Sequence, residues 1–180
     1  MTADRLAPNL ISGLAAGTPA AYAALYDQFG AALLHFARAV LGSNDEAEDA
    51  VQDLFVELFR TRQRMTRVED LQAYLFAVLR HTLKRRIARR ESEARRLRQI
   101  ILADEHKQEQ PQKKETVDGL DAALAALPEE QREVIAMKIE VGLTFEQIGE
   151  ILRVSSNTAA SRYRYGLEKL RQALEEHRDE

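Results

Sequence analysis

Cysteine is absent from the 180 residues, so neither a disulfide framework nor a thiolate metal site is available to the fold. The four histidines, His35, His81, His106 and His177, are scattered without ligand spacing, and no metal site is expected. There is no apolar run near the roughly 18 residues of a membrane helix, and the N-terminus has no signal-peptide pattern. No membrane insertion is therefore expected, and the cytoplasm is the expected compartment. Also missing are a nucleophile–base pair and a phosphate-binding glycine loop, which argues against an enzyme and against a bound cofactor. Only four prolines and eight glycines occur, clustered near the expected ends of helices.

What is present points to helices. Hydrophobic residues make up 45% and charged residues 31%, the balance of a globular rather than a disordered chain. Ala, Leu, Glu, Arg and Gln dominate, all good helix formers, so an all-α protein is expected. The formal net charge of −3 hides a strong segregation. Ser43 to Arg60 carries six acids and one base, whereas Lys84 to Arg98 carries eight bases and two acids. Such blocks suggest two surfaces, one facing a basic protein and one facing phosphate.

Apolar periodicity sets out the elements. After a tail (1–18), Pro19 to Leu41 repeats apolar residues at helical spacing, with Gly30 as a divider or bend and Gly42 as the stop. Ser43-Asn44-Asp45-Glu46 reads as a capping box, opening a helix that buries Ala47, Val51, Leu54, Phe55 and Leu58. A basic loop from Thr61 to Val68 precedes a long helix from about Glu69 into the nineties. Ala103 to Gly119 is polar, contains Pro111 and reads as a linker. The expected organisation is a first domain at 19–100, a flexible linker at 101–118 and a second small helical domain at 119–180. In the second, Asp121 to Leu127 and Glu129 to Ile139 are helices, the latter with Val134, Ile135 and Ile139 inward.

Thr144 to Tyr165 has the layout of a helix-turn-helix, in which the second helix lies in a major groove while the first braces it. Thr144-Phe145-Glu146-Gln147 caps the first helix and Ser155 the second. Ile148 and Leu152 should pack on Val154, Ala159 and Tyr163, leaving Asn157, Ala160, Ser161 and Arg164 to reach bases and phosphates. Arg153 stands where a glycine usually supplies a left-handed turn.

Three stretches together resemble a known family. Leu124-Ala125-Ala126-Leu127-Pro128-Glu129-Glu130-Gln131-Arg132-Glu133-Val134, then Gly142 to Ile148, Asn157-Thr158, Ser161-Arg162 and Leu167 to Arg171, resemble domain four of extracytoplasmic-function sigma factors. Ala47 to Phe55 resembles the domain-two helix that grips the polymerase clamp. Leu75-Phe76-Ala77-Val78-Leu79-Arg80 resembles the helix that meets the −10 element.

The resemblance implies a sigma factor whose partners are core RNA polymerase and promoter DNA, with room for an anti-sigma factor, and which is a monomer when free. It places Asp49, Gln52 and Asp53 at the polymerase, on one helical face off the apolar stripe. It places Arg64, Arg67, Tyr74, Arg80, His81 and Lys84 at the −10 element, where cations hold phosphates and an aromatic ring stacks on an unpaired base. Ser156, Asn157, Thr158, Ala160, Ser161, Arg162, Arg164 and Tyr165 fall at the −35 element. The chain departs from the family pattern at Tyr74, where members usually carry Trp, and at Arg80-His81, where they usually carry Arg-Asn. The alternative reading is a helix-turn-helix regulator with a helical sensor or dimerisation domain, which leaves the acidic helix unexplained.

Overall fold

The structure, a computed structural model, describes residues 7–103 and 119–176. Eight α-helices and one 3₁₀ helix make up these residues, with no strand among them. Most of the expected linker (residues 104–118) lies outside the described residues, while residues 101–103 finish a helix.

The expected tail contains a helix, α1 (Ala7–Ala16), whose Leu10 and Leu14 are buried. Ten residues are too few to be stable alone, and their helicity comes from packing against the rest of the domain. Thr18 and Pro19 then open α2 (Pro19–Leu41), with proline in the first turn, where its missing N–H costs nothing. Gly30 neither divides nor ends this helix. It is buried, and a Cβ there would lie 3.2 Å from the Tyr26 ring, so its role is close approach. The helix stops at Gly42, in the left-handed conformation with φ 66°, whose N–H donates to the Arg38 carbonyl.

In α3 (Asn44–Arg60) the expected box forms by half. The Ser43 hydroxyl accepts from the Glu46 N–H at 3.5 Å, but the Glu46 carboxylate turns to Arg90 instead. Ala47, Ala50, Val51, Leu54 and Leu58 are buried, while Phe55 lies half-buried beside the Tyr26 ring. The expected basic loop is a 3₁₀ helix (Arg62–Arg67), anchored by a fully buried Met65. Asp70 caps α4 (Leu71–Ala103) by accepting from the Ala73 N–H, and Leu71, Leu75, Phe76, Leu79 and Leu83 enter the core.

Helices α5 (Gly119–Ala126), α6 (Glu129–Ile139), α7 (Phe145–Leu152) and α8 (Ser156–Glu176) form the second unit. Ile139 is exposed rather than inward, because α6 fills the interior with Val134, Ile135 and Met137. The two units share one apolar core. Val134, Ala136, Met137, Leu143, Ile148 and Leu152 join the cluster built by Leu33, Phe36, Leu54 and Phe76, and α2 packs against both α3 and α6.

Candidate polymerase and promoter interfaces

The helix-turn-helix forms from local chemistry. Thr144 Oγ1 accepts from the Gln147 N–H at 3.2 Å, and Gln147 Oε1 accepts from the Thr144 N–H at 2.8 Å, so two N–H groups at the start of α7 are satisfied reciprocally. Arg153 takes the left-handed conformation (φ 57°, ψ 45°), and it is the one positive-φ non-glycine among the described residues. The glycine that the turn does require sits earlier. A Cβ on Gly149 would lie 2.8 Å from the Val154 carbonyl oxygen, so Gly149 lets the turn fold back onto α7 while its own carbonyl accepts from the Val154 N–H. Ser155 then caps α8 by accepting from the Thr158 N–H at 3.0 Å. Ile148, Leu152 and Ala159 are buried between the two helices, and the Phe145 and Tyr163 rings meet at 5.6 Å. Gly166 permits a second crossing, since a Cβ there would lie 2.6 Å from Ile135 on α6.

This packing leaves Asn157, Thr158, Arg164 and Tyr165 exposed, with Ser156, Ala160 and Ser161 half-exposed beside them. The Arg164 guanidinium lies 5.3 Å from the Tyr165 ring centroid. Arg162, expected among the promoter contacts, turns back to Glu130 of α6 at 2.7 Å. Thr158 also shares its hydroxyl with the Ser155 cap at 2.8 Å.

On the first unit the six expected −10 residues divide. Arg64, Arg67 and His81 are exposed, whereas Tyr74 is half-buried against the core. Arg80 donates through Nε and Nη2 to the two carboxylate oxygens of Glu133 on α6, at 3.0 and 3.2 Å. One turn further along, Lys84 lies 3.6 Å from Glu129. Glu133 is almost fully buried, a position that carboxylates occupy only when paired. Gln72 donates to the Val141 carbonyl and Gln147 to Asp70 along the same junction.

Asp49, Gln52 and Asp53 share the exposed face of α3. Two of them are engaged within the chain. Arg86 donates to Asp53 Oδ2, through Nε at 3.1 Å and through Nη2, and its Nη1 lies 3.8 Å from Asp49. Arg90 reaches Glu46 at 3.4 Å. These side chains border a groove of about 960 Å³ between α3, α4 and α6. The acidic and basic blocks, expected to face different partners, thus face each other over part of their length. Glu46, Asp49 and Asp53 lie on one helical face, and Arg86 and Arg90 are one turn apart, a spacing that by itself names no partner. Residues 88–98 of α4 are exposed, and Arg89 has its pKa raised by its hydrogen bond to Glu93. Sequence reasoning did not single out Arg86, Glu133 or Gly149, since each acts on a partner that periodicity alone does not identify.

Comparison with known proteins agrees at three levels. Residues 25–93 match the family model of Sigma-70 region 2, and residues 123–172 that of Sigma-70 region 4. The ECF RNA polymerase sigma factor SigL of Mycobacterium tuberculosis is 32% identical over 179 aligned residues, covering 92% of this chain and 96% of SigL. Two solved structures share the fold. The sigma factor RpoE of Bartonella quintana, in complex with the anti-sigma factor NepR, has a TM-score of 0.64 at 24% identity, covering 84% of this chain and 96% of RpoE. CnrH, in complex with the cytosolic domain of CnrY, has a TM-score of 0.66 at 22% identity, covering 92% of this chain and 95% of CnrH.

Proposed function

The chain belongs to the extracytoplasmic-function sigma factors of bacterial RNA polymerase, and from that premise we propose how its surfaces divide the work of directing polymerase to promoters. The α3 face of Asp49, Gln52 and Asp53 docks on a basic surface of core polymerase. The 3₁₀ helix and α4 meet the −10 element through Arg64, Arg67, Tyr74, Arg80, His81 and Lys84. The N-terminal half of α8 reads the −35 element from the major groove, through Asn157, Thr158, Ser161, Arg164 and Tyr165, with Ser156 and Ala160 close to the backbone and Arg162 held on α6 until DNA competes for it. Bond-making belongs to the polymerase, and the chain works where transcription takes place, in the cytoplasm.

One observation carries this reading. The second helix of a capped helix-turn-helix presents a polar and cationic face to solvent, and the same chain carries an acidic helix that a DNA-binding regulator would not need. Because RpoE was solved with the anti-sigma factor NepR, an inhibitor of that kind is a natural third partner here. The test is reconstitution. Purified chain added to core polymerase should start transcription from a specific subset of promoters on a genomic template. A chain that shifts promoter DNA as a dimer, yet directs no initiation by core polymerase, would instead be a regulator.

A further inference from the structure

The cationic segment between α3 and α4 takes its shape from another element. A 3₁₀ helix of six residues, Arg62–Arg67, is longer than the three or four residues that its poor hydrogen-bond geometry usually sustains. Its own ties are short-range. The Arg64 N–H donates to the Thr61 carbonyl at 2.8 Å, and the Val68 N–H to the Met65 carbonyl at 3.0 Å. Further constraint comes from α1, which packs along the segment and buries Leu14 in the same cluster as the fully buried Met65. At the start of the segment, Arg62 turns back rather than outward. Its Nη1 donates to the Phe59 carbonyl in the last turn of α3 at 3.0 Å, and its guanidinium lies 4.8 Å from the Phe59 ring centroid. Gly17, just past the end of α1 with φ 74°, closes over the same pair. A Cβ there would lie 3.1 Å from Arg62 Cδ and 3.3 Å from the Phe59 ring. One of the three arginines in this helix is thus engaged within the fold, while Arg64 and Arg67 are exposed.

We propose that α1 and Arg62 form a seat that aims Arg64 and Arg67, so that Leu14 and Arg62 are positioning residues for the −10 element and touch no DNA. The inference rests on the −10 role proposed above for the 3₁₀ helix. Leu14 is 1% exposed and cannot reach a ligand, so its effect on promoter DNA travels through the segment packed on α1. Arg62 has its guanidinium committed to the end of α3 and to the Phe59 ring. Because the 3₁₀ helix has little hydrogen-bond strength of its own, removing either support lets its backbone shift while the α-helices keep their own ladders. Arg64 and Arg67 then retain their charge but lose the fixed placement that spares them an ordering cost on binding.

The test uses the complex with core polymerase and a forked duplex that carries a −10 element and no −35 element. Arg62→Ala should weaken binding of the fork at least about threefold, with affinity for core polymerase unchanged. The same substitution in an Arg64→Ala, Arg67→Ala chain should add nothing, because Arg62 acts through those two side chains. Leu14→Ala should repeat both results at a temperature where the variant is folded. Leu14→Met, which refills the space, should restore the binding of the parent. Additive losses from Arg62 and from the Arg64, Arg67 pair would overturn the proposal, by making Arg62 a phosphate contact in its own right. Fork binding by Arg62→Ala equal to that of the parent would overturn it, as would a loss of core-polymerase affinity alongside the loss of the fork. An Arg64→Ala, Arg67→Ala chain that grips the fork as the parent does would overturn the −10 role of the 3₁₀ helix itself, and the seat with it.

Discussion

Two helices in this chain carry the cations that we propose for promoter DNA, and the two sets are in opposite states. On α8, Arg164 is exposed with Asn157 beside it on the same face, and its ring neighbour Tyr165 belongs to its own helix. On α4, Arg80 and Lys84 are engaged by carboxylates more than forty residues away, and Arg86 is engaged by Asp53. The first surface is built by neighbours in sequence and is ready as folded. The second is built by the meeting of distant elements, so its availability depends on the arrangement of the whole chain. To meet phosphate as proposed, Arg80 and Lys84 on α4 exchange one anion for another, as does Arg162 on α8, whereas the exposed Arg164 has no carboxylate to leave.

The largest effect expected from breaking this contrast falls on the acidic face. Replacing Asp49 and Asp53 together with Lys should weaken co-purification with core polymerase by about 100-fold or more, because truncating close interfacial charge pairs already costs about 2–5 kcal/mol. The same change sets lysines beside Arg86, but exposed pairs are worth about 1 kcal/mol or less, so thermal melting should fall only modestly. Undiminished polymerase binding would detach this face from the polymerase.

A smaller effect sharpens the other half of the contrast. Arg164→Ala should cost about 1–3 kcal/mol of discrimination at one −35 position, with other positions unaffected. Transcription from a panel of single-position −35 variants at several salt concentrations provides the reading. Uniform weakening with a flatter salt dependence would reassign Arg164 to phosphate.

The smallest effect concerns the turn that aims α8. Arg153→Gly should raise stability by about 1 kcal/mol or less, since glycine adopts the left-handed conformation freely but loses more chain entropy on folding. The −35 preference should stay as it was. A loss of stability on thermal melting would show that the Arg153 side chain contributes packing that outweighs the relief of its backbone.

How much of this was legible in advance follows the same division. The Thr144–Gln147 box, the Ser155 cap, the Gly42 stop and the left-handed Arg153 all act within five residues, and each is visible as a local pattern of residue types. The exposed face of α8 was readable for that reason, except at Arg162, whose carboxylate partner sits on α6. The all-helical class followed from composition. What sequence patterns could not show was rotation and pairing across the fold. Ile139 and Met137 compete for the inner side of α6 with nearly equal claims by periodicity, and packing favours Met137. The helix Ala7–Ala16 is short and carries Pro8 and Gly13, so it does not stand out, and it forms because the rest of the domain offers Leu10 and Leu14 a place to bury. Gly149 is an unremarked glycine inside a helix until the Val154 carbonyl is seen above it.

The single core running through both units has a thermodynamic consequence. Because Met137, Leu143 and Ile148 sit in the same cluster as Leu33, Phe36 and Phe76, parting the units hydrates apolar surface as well as exchanging ions. Separation then carries a positive heat-capacity change, and its free energy curves with temperature as that of partial unfolding does. Cooling weakens the apolar component of the contact between the units, while salt weakens the exposed ion pairs at its edge. How firmly the two units hold together is thereby tied to temperature and ionic strength through two separate physical channels.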